Sequence, residues 1–126
     1  KGLHILLAED NELNMEIAEF MLQNEGADVT KAWNGREAVE IFRKSEPDEF
    51  DVILMDIMMP VMNGYEATKM IRSLEREDAK VIPVIAMTAN AFTEDRLKAK
   101  EAGMDEHIAK PVDPELLVKV IYESVD

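Results

Sequence analysis

Acidic, hydroxyl and ammonium side chains follow four short apolar runs of this chain, at the point where each run ends. They are Glu9, Asp10, Asp56, Thr88 and Lys110. If the apolar runs are parallel strands, their carboxyl ends meet at one edge of a sheet, which is where open parallel sheets bind their ligands. We therefore expect these side chains to converge on one shallow site.

Three carboxylates brought together repel one another, and burial adds a desolvation cost that either protonation or a bound cation relieves. Oxygen ligands without His or Cys suit a hard ion, and two or three carboxylates completed by water describe Mg²⁺ better than Ca²⁺. With an ion on Glu9 and Asp10, the carboxylate of Asp56 could attack phosphorus and form an aspartyl phosphate. The ion would neutralise one phosphoryl oxygen, Lys110 a second, and the Thr88 hydroxyl could bond a third.

Short segments rich in apolar or β-branched residues predict the strands that must position this site. Nearly continuous apolar runs are typical of strands that are covered on both faces, as in parallel sheets. The second segment is more polar than the others, which indicates an edge strand. The five predicted strands lie within residues 3–8, 28–33, 51–55, 81–87 and 107–109.

Five amphipathic stretches alternate with these runs and predict helices. The first carries Leu13, Ile17, Phe20 and Met21 at helical spacing, and Gly26 stands where a C-terminal cap would lie. The alternation predicts right-handed crossovers and a doubly wound α/β fold, with five helices on both faces of the sheet and one domain over residues 1–126. The other four helices are recognised by N-terminal signals, which are Asn34 with Glu37, Asn63 with Gly64, Thr93, and Asp113 with Pro114.

Composition excludes several classes of function. The 126 residues carry 27 acidic and 14 basic side chains, and the net charge of −13 opposes binding to nucleic acid or to an anionic membrane surface. No apolar run approaches the roughly 20 residues that a membrane-spanning helix needs. The chain has no Cys, so we expect no disulfide and a cytoplasmic location.

Four segments around the polar residues resemble the response-regulator receiver domain of two-component signalling. Each segment alone is a weak motif, but their order and spacing together are specific, and the resemblance covers essentially the whole chain. It implies a flavodoxin-like fold whose parallel sheet has the strand order 2-1-3-4-5. The segments are LLAEDN at 6–11, LMDIMMPVMNG at 54–64, AMTA at 86–89 and IAKP at 108–111.

The resemblance implies a role for each matching residue. Asp56 would be the phosphoacceptor, Thr88 the switch hydroxyl, and Lys110 the partner of the phosphoryl group. The cofactor would be Mg²⁺, for which Mn²⁺ can substitute. Its ligands would be Glu9 (partly through water), Asp10, Asp56 and the backbone carbonyl of Met58.

Other matching positions would adjust the switch. His107 stands where the family commonly has Tyr or Phe, so it either only packs or weakens the coupling to Thr88 and makes it pH-sensitive. Met58 and Asn90 would flank the phosphoryl group, and because an apolar Met58 cannot orient water we expect slow self-dephosphorylation. The family also predicts a cis peptide bond at Lys110–Pro111.

These implications describe a switch that takes a phosphoryl group from a histidine kinase or a histidine phosphotransfer protein. Its downstream partner would bind the face formed by the fourth helix, the fifth strand and the fifth helix. Residues 55–65, 86–90 and 102–105 are similar to receivers of hybrid histidine kinases, and a stand-alone regulator is the alternative. The chain begins at Lys1 rather than Met, so we expect a segment of a longer protein, such as the cytoplasmic part of a membrane-bound kinase.

Two other classes of function stay open. The first is a metal-dependent phosphatase with an aspartyl nucleophile, but such enzymes commonly have a second Asp where this chain has Met58. The second is an interaction module that is never phosphorylated, which the complete set of polar residues argues against. The isolated domain is therefore not expected to be an enzyme, although its parent chain could be a histidine kinase.

Overall fold

Five parallel strands form one sheet in the computed structural model, which describes residues 2–88, 93–110 and 112–125, with the backbone alone at 93–95. The sheet has the order β2-β1-β3-β4-β5, and every neighbouring pair is parallel. The predicted fold class and strand order are therefore confirmed. The strands are β1 (His4–Ala8), β2 (Asp28–Ala32), β3 (Val52–Asp56), β4 (Val84–Thr88) and β5 (Glu106–Ala109).

The described residues form six helices rather than the predicted five. They are α1 (Glu12–Asn24), α2 (Gly35–Lys44), α3 (Gly64–Arg72), α4 (Glu77–Val81), α5 (Thr93–Ala102) and α6 (Pro114–Ser124). The fourth and fifth predicted helices are thus α5 and α6. None of the helices in the described ranges is both long enough and apolar enough to span a membrane.

The additional helix α4 shortens the fourth apolar run. Val81 ends α4, and β4 begins only at Val84, so the prediction of a strand from residue 81 was wrong. Pro83 has no N–H to donate to a strand ladder, which explains a break at this position. Its carbonyl still accepts from the N–H of Ile53 at 2.9 Å, so β3 is already bonded to the chain one residue before β4 starts.

The sheet separates two hydrophobic clusters, one on each face. Leu6 of β1 packs in the cluster that contains Phe42 of α2 and Ile71 of α3. Leu7, the next residue, packs in the cluster that contains Met15 of α1 and Ile121 of α6. Successive side chains of a strand point to opposite faces, so a strand covered on both faces needs the continuous apolar run that the sequence shows.

Helix α1 forms as predicted, but the apolar residues that indicated it are not the ones it buries. Leu13, Ile17 and Phe20 are exposed, and Met21 is only partly buried. Apolar residues occupy two sides of this helix, and helical spacing alone cannot tell which side meets the sheet. The side chains that α1 does bury are Met15, Ala18 and Leu22.

Capping side chains fix where two further helices begin. Asn34 caps α2 by accepting from the N–H of Glu37 at 2.9 Å, but the Glu37 carboxylate accepts from Trp33 rather than from Asn34. The reciprocal capping box lies instead at Asn63 and Glu66, where each side chain accepts from the other residue's N–H. The start of α3, and with it the length of the loop after β3, is therefore set by side-chain hydrogen bonds.

The predicted C-terminal cap at Gly26 and the predicted N-terminal cap at Asp113 are also observed. Gly26 follows α1 with φ of 88°, a left-handed conformation that favours glycine, and its N–H donates to the carbonyl of Gln23. The Asp113 side chain accepts from the N–H of Glu115, with Pro114 at the first helical position. Helices α1 and α6 pack on the same face of the sheet, since Leu22 and Leu117 belong to one cluster.

Candidate functional site

The register of the sheet brings the ends of its strands to one edge. Ala8 of β1 lies beside Met55 of β3, and Thr88 of β4 lies beside Ala109 of β5. The N–H of Lys110 donates to the carbonyl of Thr88 at 2.8 Å, which continues the ladder one residue past β5. Every polar residue that the sequence singled out at a strand end therefore lies at the carboxyl edge.

Glu9, Asp10 and Asp56 form a cluster of three acids at this edge. One carboxylate oxygen from each lies within 4.8 Å of the others. Glu9 and Asp56 are 2% and 3% exposed, whereas Asp10 is exposed. Helix α1 begins only at Glu12, so the acidic pair precedes the helix rather than forming its first turn.

Lys110 joins two of these acids. Its Nζ atom lies 3.0 Å from Oε1 of Glu9 and 3.0 Å from Oδ2 of Asp56. Burial alone would lower the pKa of Lys110, but the hydrogen bonds and charges of Asp56 and Glu9 outweigh burial and raise it. The ammonium group therefore stays charged and offsets part of the repulsion between the two carboxylates.

Among the described residues, Asp56 is the acid whose pKa is shifted furthest from its ordinary value. Its pKa is raised from 3.8 to about 6, chiefly by burial; the hydrogen bond from Lys110 lowers this pKa, and the charge of Glu9 raises it. One ammonium group is thus too little positive charge for this cluster, because the charged form of Asp56 is still disfavoured. A second cation would stabilise the carboxylate.

The donor set fits a hard divalent ion. It offers carboxylate oxygens only, from two buried acids and one exposed acid, with Asp10 open to solvent. Lys110 bonds one oxygen of Asp56, which leaves the other oxygen for an ion. A few carboxylates beside a solvent opening are typical of Mg²⁺, which keeps several of its waters.

Two residues that support the acids were missed by sequence reasoning. The N–H of Asn11 donates to Oε2 of Glu9 at 3.1 Å, and its side chain caps α1 by accepting from Asn14. A Cβ atom at Gly64 would lie 2.4 Å from the carbonyl oxygen of Asp56, so only glycine lets α3 approach this strand end. Asn directly after the acidic pair is an N-cap signal that could have been used, whereas the contact of Gly64 required the fold.

The remaining predicted residues are placed as follows. Thr88 is buried at the end of β4, and His107 is partly buried on β5. The side chain of Met58 is exposed, two residues after Asp56 in sequence. Asn90 and the Lys110–Pro111 peptide bond lie outside the described residues.

Solved structures resemble this fold closely. The receiver domain of a Pseudomonas aeruginosa sensor histidine kinase, with a magnesium ion coordinated in its active site cleft, is 38% identical and superposes with a TM-score of 0.89, covering 99% of this chain and 98% of its own. A receiver domain in complex with a histidine phosphotransfer signalling protein of Saccharomyces cerevisiae is 31% identical, with a TM-score of 0.88, covering 98% of this chain and 89% of that one.

Curated relatives are much longer proteins. Hybrid signal transduction histidine kinase I of Dictyostelium discoideum is 40% identical over 123 residues, and Histidine kinase 1 of Arabidopsis thaliana is 37% identical over 153. Each alignment covers 96% of this chain, but only 7% and 12% of the respective relative. The sequence model of the response regulator receiver domain matches residues 5–122. The chain belongs to the family of response regulator receiver domains.

Proposed function

We propose that this receiver domain accepts a phosphoryl group on Asp56 from a phosphohistidine donor and responds by changing its partner-binding surface. The observation that carries the proposal is the buried Asp56 carboxylate with Lys110 at 3.0 Å and two further acids within 4.8 Å. An acid that only supported the fold would not be expected in this environment, because burying a carboxylate beside two others costs stability.

The transfer uses an oxygen of Asp56 as the nucleophile. This oxygen attacks the phosphorus atom, a P–O bond forms as the P–N bond to the donor histidine breaks, and the imidazole leaves with the electron pair. Lys110 pairs with one phosphoryl oxygen, and the hydroxyl of Thr88, on the adjoining strand β4, donates to another. In-line phosphoryl transfer depends mainly on such positioning and charge neutralisation.

Mg²⁺ would be held by Asp10, Asp56 and the carbonyl of Met58, with Mn²⁺ able to substitute. When bound, the ion supplies positive charge to a phosphoryl oxygen during transfer. Both oxygens of Glu9 already accept hydrogen bonds, one from Lys110 and one from the N–H of Asn11. This supports a role for Glu9 through water rather than as a direct ligand.

The output surface would be the face of α5, β5 and α6, with Thr88 and His107 linking it to the site. The solved complex of a similar receiver domain with a histidine phosphotransfer protein supports that kind of protein as one partner. The similarity to part of much longer histidine kinases supports a hybrid histidine kinase as the parent protein of this domain. A stand-alone regulator is the alternative. The single domain over 1–126, the cytoplasmic location and the absence of enzyme activity stay predictions.

His107 provides a specific prediction about this surface. If His107 weakens the coupling between the site and this face, phosphorylation should change amide hydrogen exchange on α5, β5 and α6 more in His107→Tyr than in the parent. Identical behaviour of the variant and the parent would mean that His107 only packs.

The phosphoacceptor function is tested by incubation with Mg²⁺ and acetyl phosphate, followed by intact-mass spectrometry. We expect one phosphoryl group on the parent and none on Asp56→Asn. Asp51→Asn, at an exposed position just before β3, is the matched control and should be labelled like the parent. Steady hydrolysis of acetyl phosphate would indicate the phosphatase instead, and a parent that is never labelled would indicate an interaction module.

A further inference from the structure

Met58 is the most exposed of the nine methionines, all of which lie within the described residues. It is 75% exposed, and Met70 on α3 follows at 47%. Met21 and Met62 are partly buried. The other five, at most 8% exposed, are Met15, Met55, Met59, Met87 and Met104. An oxidant in solution therefore reaches the sulfur of Met58 more readily than that of the other methionines.

The backbone on both sides of Met58 is fixed to the body of the domain. Ile57 and Met59 are 4% and 8% exposed, and both pack in the cluster that contains residues of α2 and α3. The N–H of Ile57 donates to the carbonyl of Met87 on β4 at 3.1 Å, and its own carbonyl accepts from the N–H of Gly64 at 2.9 Å. The Cα atom of Met58 is therefore held in place, with its side chain in solvent.

This position lies close to the phosphoacceptor. Asp56, two residues earlier, is 3% exposed, and two residues of extended chain separate their Cα atoms by at most about 7 Å. A phosphoryl group on Asp56 would extend out of the interior on the side where Asp10 is exposed. The water that hydrolyses such an aspartyl phosphate comes from the same solvent, so the chemistry of the Met58 side chain bears on its rate.

We propose that Met58 is a reversible oxidation site and that its oxidation shortens the lifetime of the aspartyl phosphate. The oxidant is a hydroperoxide, with hydrogen peroxide as the simplest case. A lone pair on sulfur attacks one peroxide oxygen, the O–O bond breaks, and hydroxide leaves and takes the proton of the transferred oxygen to become water. Sulfur loses two electrons, the peroxide gains them, and the thioether becomes a sulfoxide. The inference rests on the proposed function, because it needs a phosphoryl group on Asp56.

The sulfoxide changes how Met58 interacts with water. A thioether sulfur is a weak hydrogen-bond acceptor, whereas the sulfoxide is polar and its oxygen accepts from a water molecule beside the phosphorus atom. That water attacks phosphorus, the bond from phosphorus to the Asp56 oxygen breaks, and the carboxylate leaves with the electron pair. The protons of the water stay on the inorganic phosphate that is released. Because the nucleophile is positioned in advance, hydrolysis should be at least about threefold faster.

The experiment measures oxidation and phosphoryl lifetime on the same sample. The unphosphorylated domain is treated with hydrogen peroxide until intact-mass spectrometry shows one added oxygen, which peptide mapping should locate on Met58 rather than on Met70. The protein is then labelled with acetyl phosphate and Mg²⁺, and the donor is removed. The oxidised parent should lose its phosphoryl group at least about threefold faster than the untreated parent. The two methionine sulfoxide reductases, one for each sulfoxide epimer, should restore the slower rate.

Substitutions separate Met58 from the rest of the chain. Met58→Leu should lose its phosphoryl group at the same rate before and after peroxide treatment. Met70→Leu is the matched control, because it removes the next most exposed sulfur, and it should respond to peroxide as the parent does. Met58→Gln carries an amide oxygen on an unbranched side chain without sulfur, so it should be faster than the untreated parent even without peroxide.

The proposal is overturned if the first oxygen is added to another methionine, if the singly oxidised parent is no faster than the untreated parent, or if Met58→Leu still responds to peroxide. A Met58→Gln variant that is no faster than the parent would also contradict it. Failure of the proposed function looks different, because acetyl phosphate would then label neither the treated nor the untreated parent. The effect on lifetime would fall with it, although peptide mapping would still find the oxygen on Met58.

Discussion

Asp56→Asn should stabilise the folded domain at neutral pH, by up to about 3 kcal/mol when divalent ions are absent. The pKa of Asp56 rises from 3.8 to about 6 on folding, chiefly because of burial. The fold therefore prefers the protonated carboxyl. Its contribution is fully present below about pH 4 and is lost as the pH rises toward about 6, where the folded protein must ionise the group. Asparagine stays neutral throughout and avoids this loss.

The measurement is urea unfolding of both proteins from about pH 4 to about pH 8 with a chelator present, where the difference in unfolding free energy should grow with pH. Added Mg²⁺ should reduce the difference, because an ion favours the charged carboxylate. Asp28→Asn, at an exposed position of β2, controls for the exchange of any Asp for Asn. A difference that does not vary with pH, or a variant less stable than the parent at neutral pH, would contradict the account.

The second large effect concerns Arg76, which joins α2 to the segment before α4. Its guanidinium group donates to both carboxylate oxygens of Asp78, at 2.9 and 2.7 Å. It also donates to the carbonyls of Phe42, Ser45 and Glu46, at 2.8, 3.1 and 3.1 Å, and so satisfies carbonyl groups at and just beyond the C-terminal end of α2. The same group lies 4.7 Å from the centre of the Phe42 ring.

Arg76→Met should therefore lower the unfolding free energy by about 3 kcal/mol, because the Asp78 side chain, only 9% exposed, loses its partner. Urea unfolding at neutral pH measures this loss. Arg43→Met is the matched control: Arg43 pairs with Glu40 on the exposed side of α2, and its loss should leave the unfolding free energy nearly unchanged. If the two substitutions cost the same, Arg76 is only a surface residue.

The sequence alone was sufficient to predict structural elements where several local signals agreed. The apolar run before Asp56 is buried along its whole length in β3, and the capping residues Asn34 and Asp113 begin helices as predicted. The convergence of Glu9 and Asp56 followed from one rule, that parallel strands end at the same edge. The strand order itself came from the family resemblance, because apolar runs do not specify which strands are neighbours.

Features that depend on tertiary contacts could not be predicted. Helix α1 has two apolar sides, so the exposure of Phe20 depends on which side the sheet covers. The five residues of α4 are too short for helical periodicity to be detected. Arg76 resembles any surface charge until the end of α2 lies beside it. The left-handed φ of Val61 occurs in a turn that the hydrogen bond from Met62 to the Pro60 carbonyl closes, and it is contrary to the preference of a β-branched residue.

The central claim is that acids from separate strands hold a divalent ion next to the phosphoacceptor. A crystal of the domain grown with Mn²⁺ tests this most directly, because the anomalous scattering of Mn²⁺ distinguishes the ion from a bound water molecule. We predict one strong peak at the carboxyl edge of the sheet, coordinated by the carboxylates of Asp10 and Asp56. A peak elsewhere, or none while these side chains point away from each other, would contradict the claim.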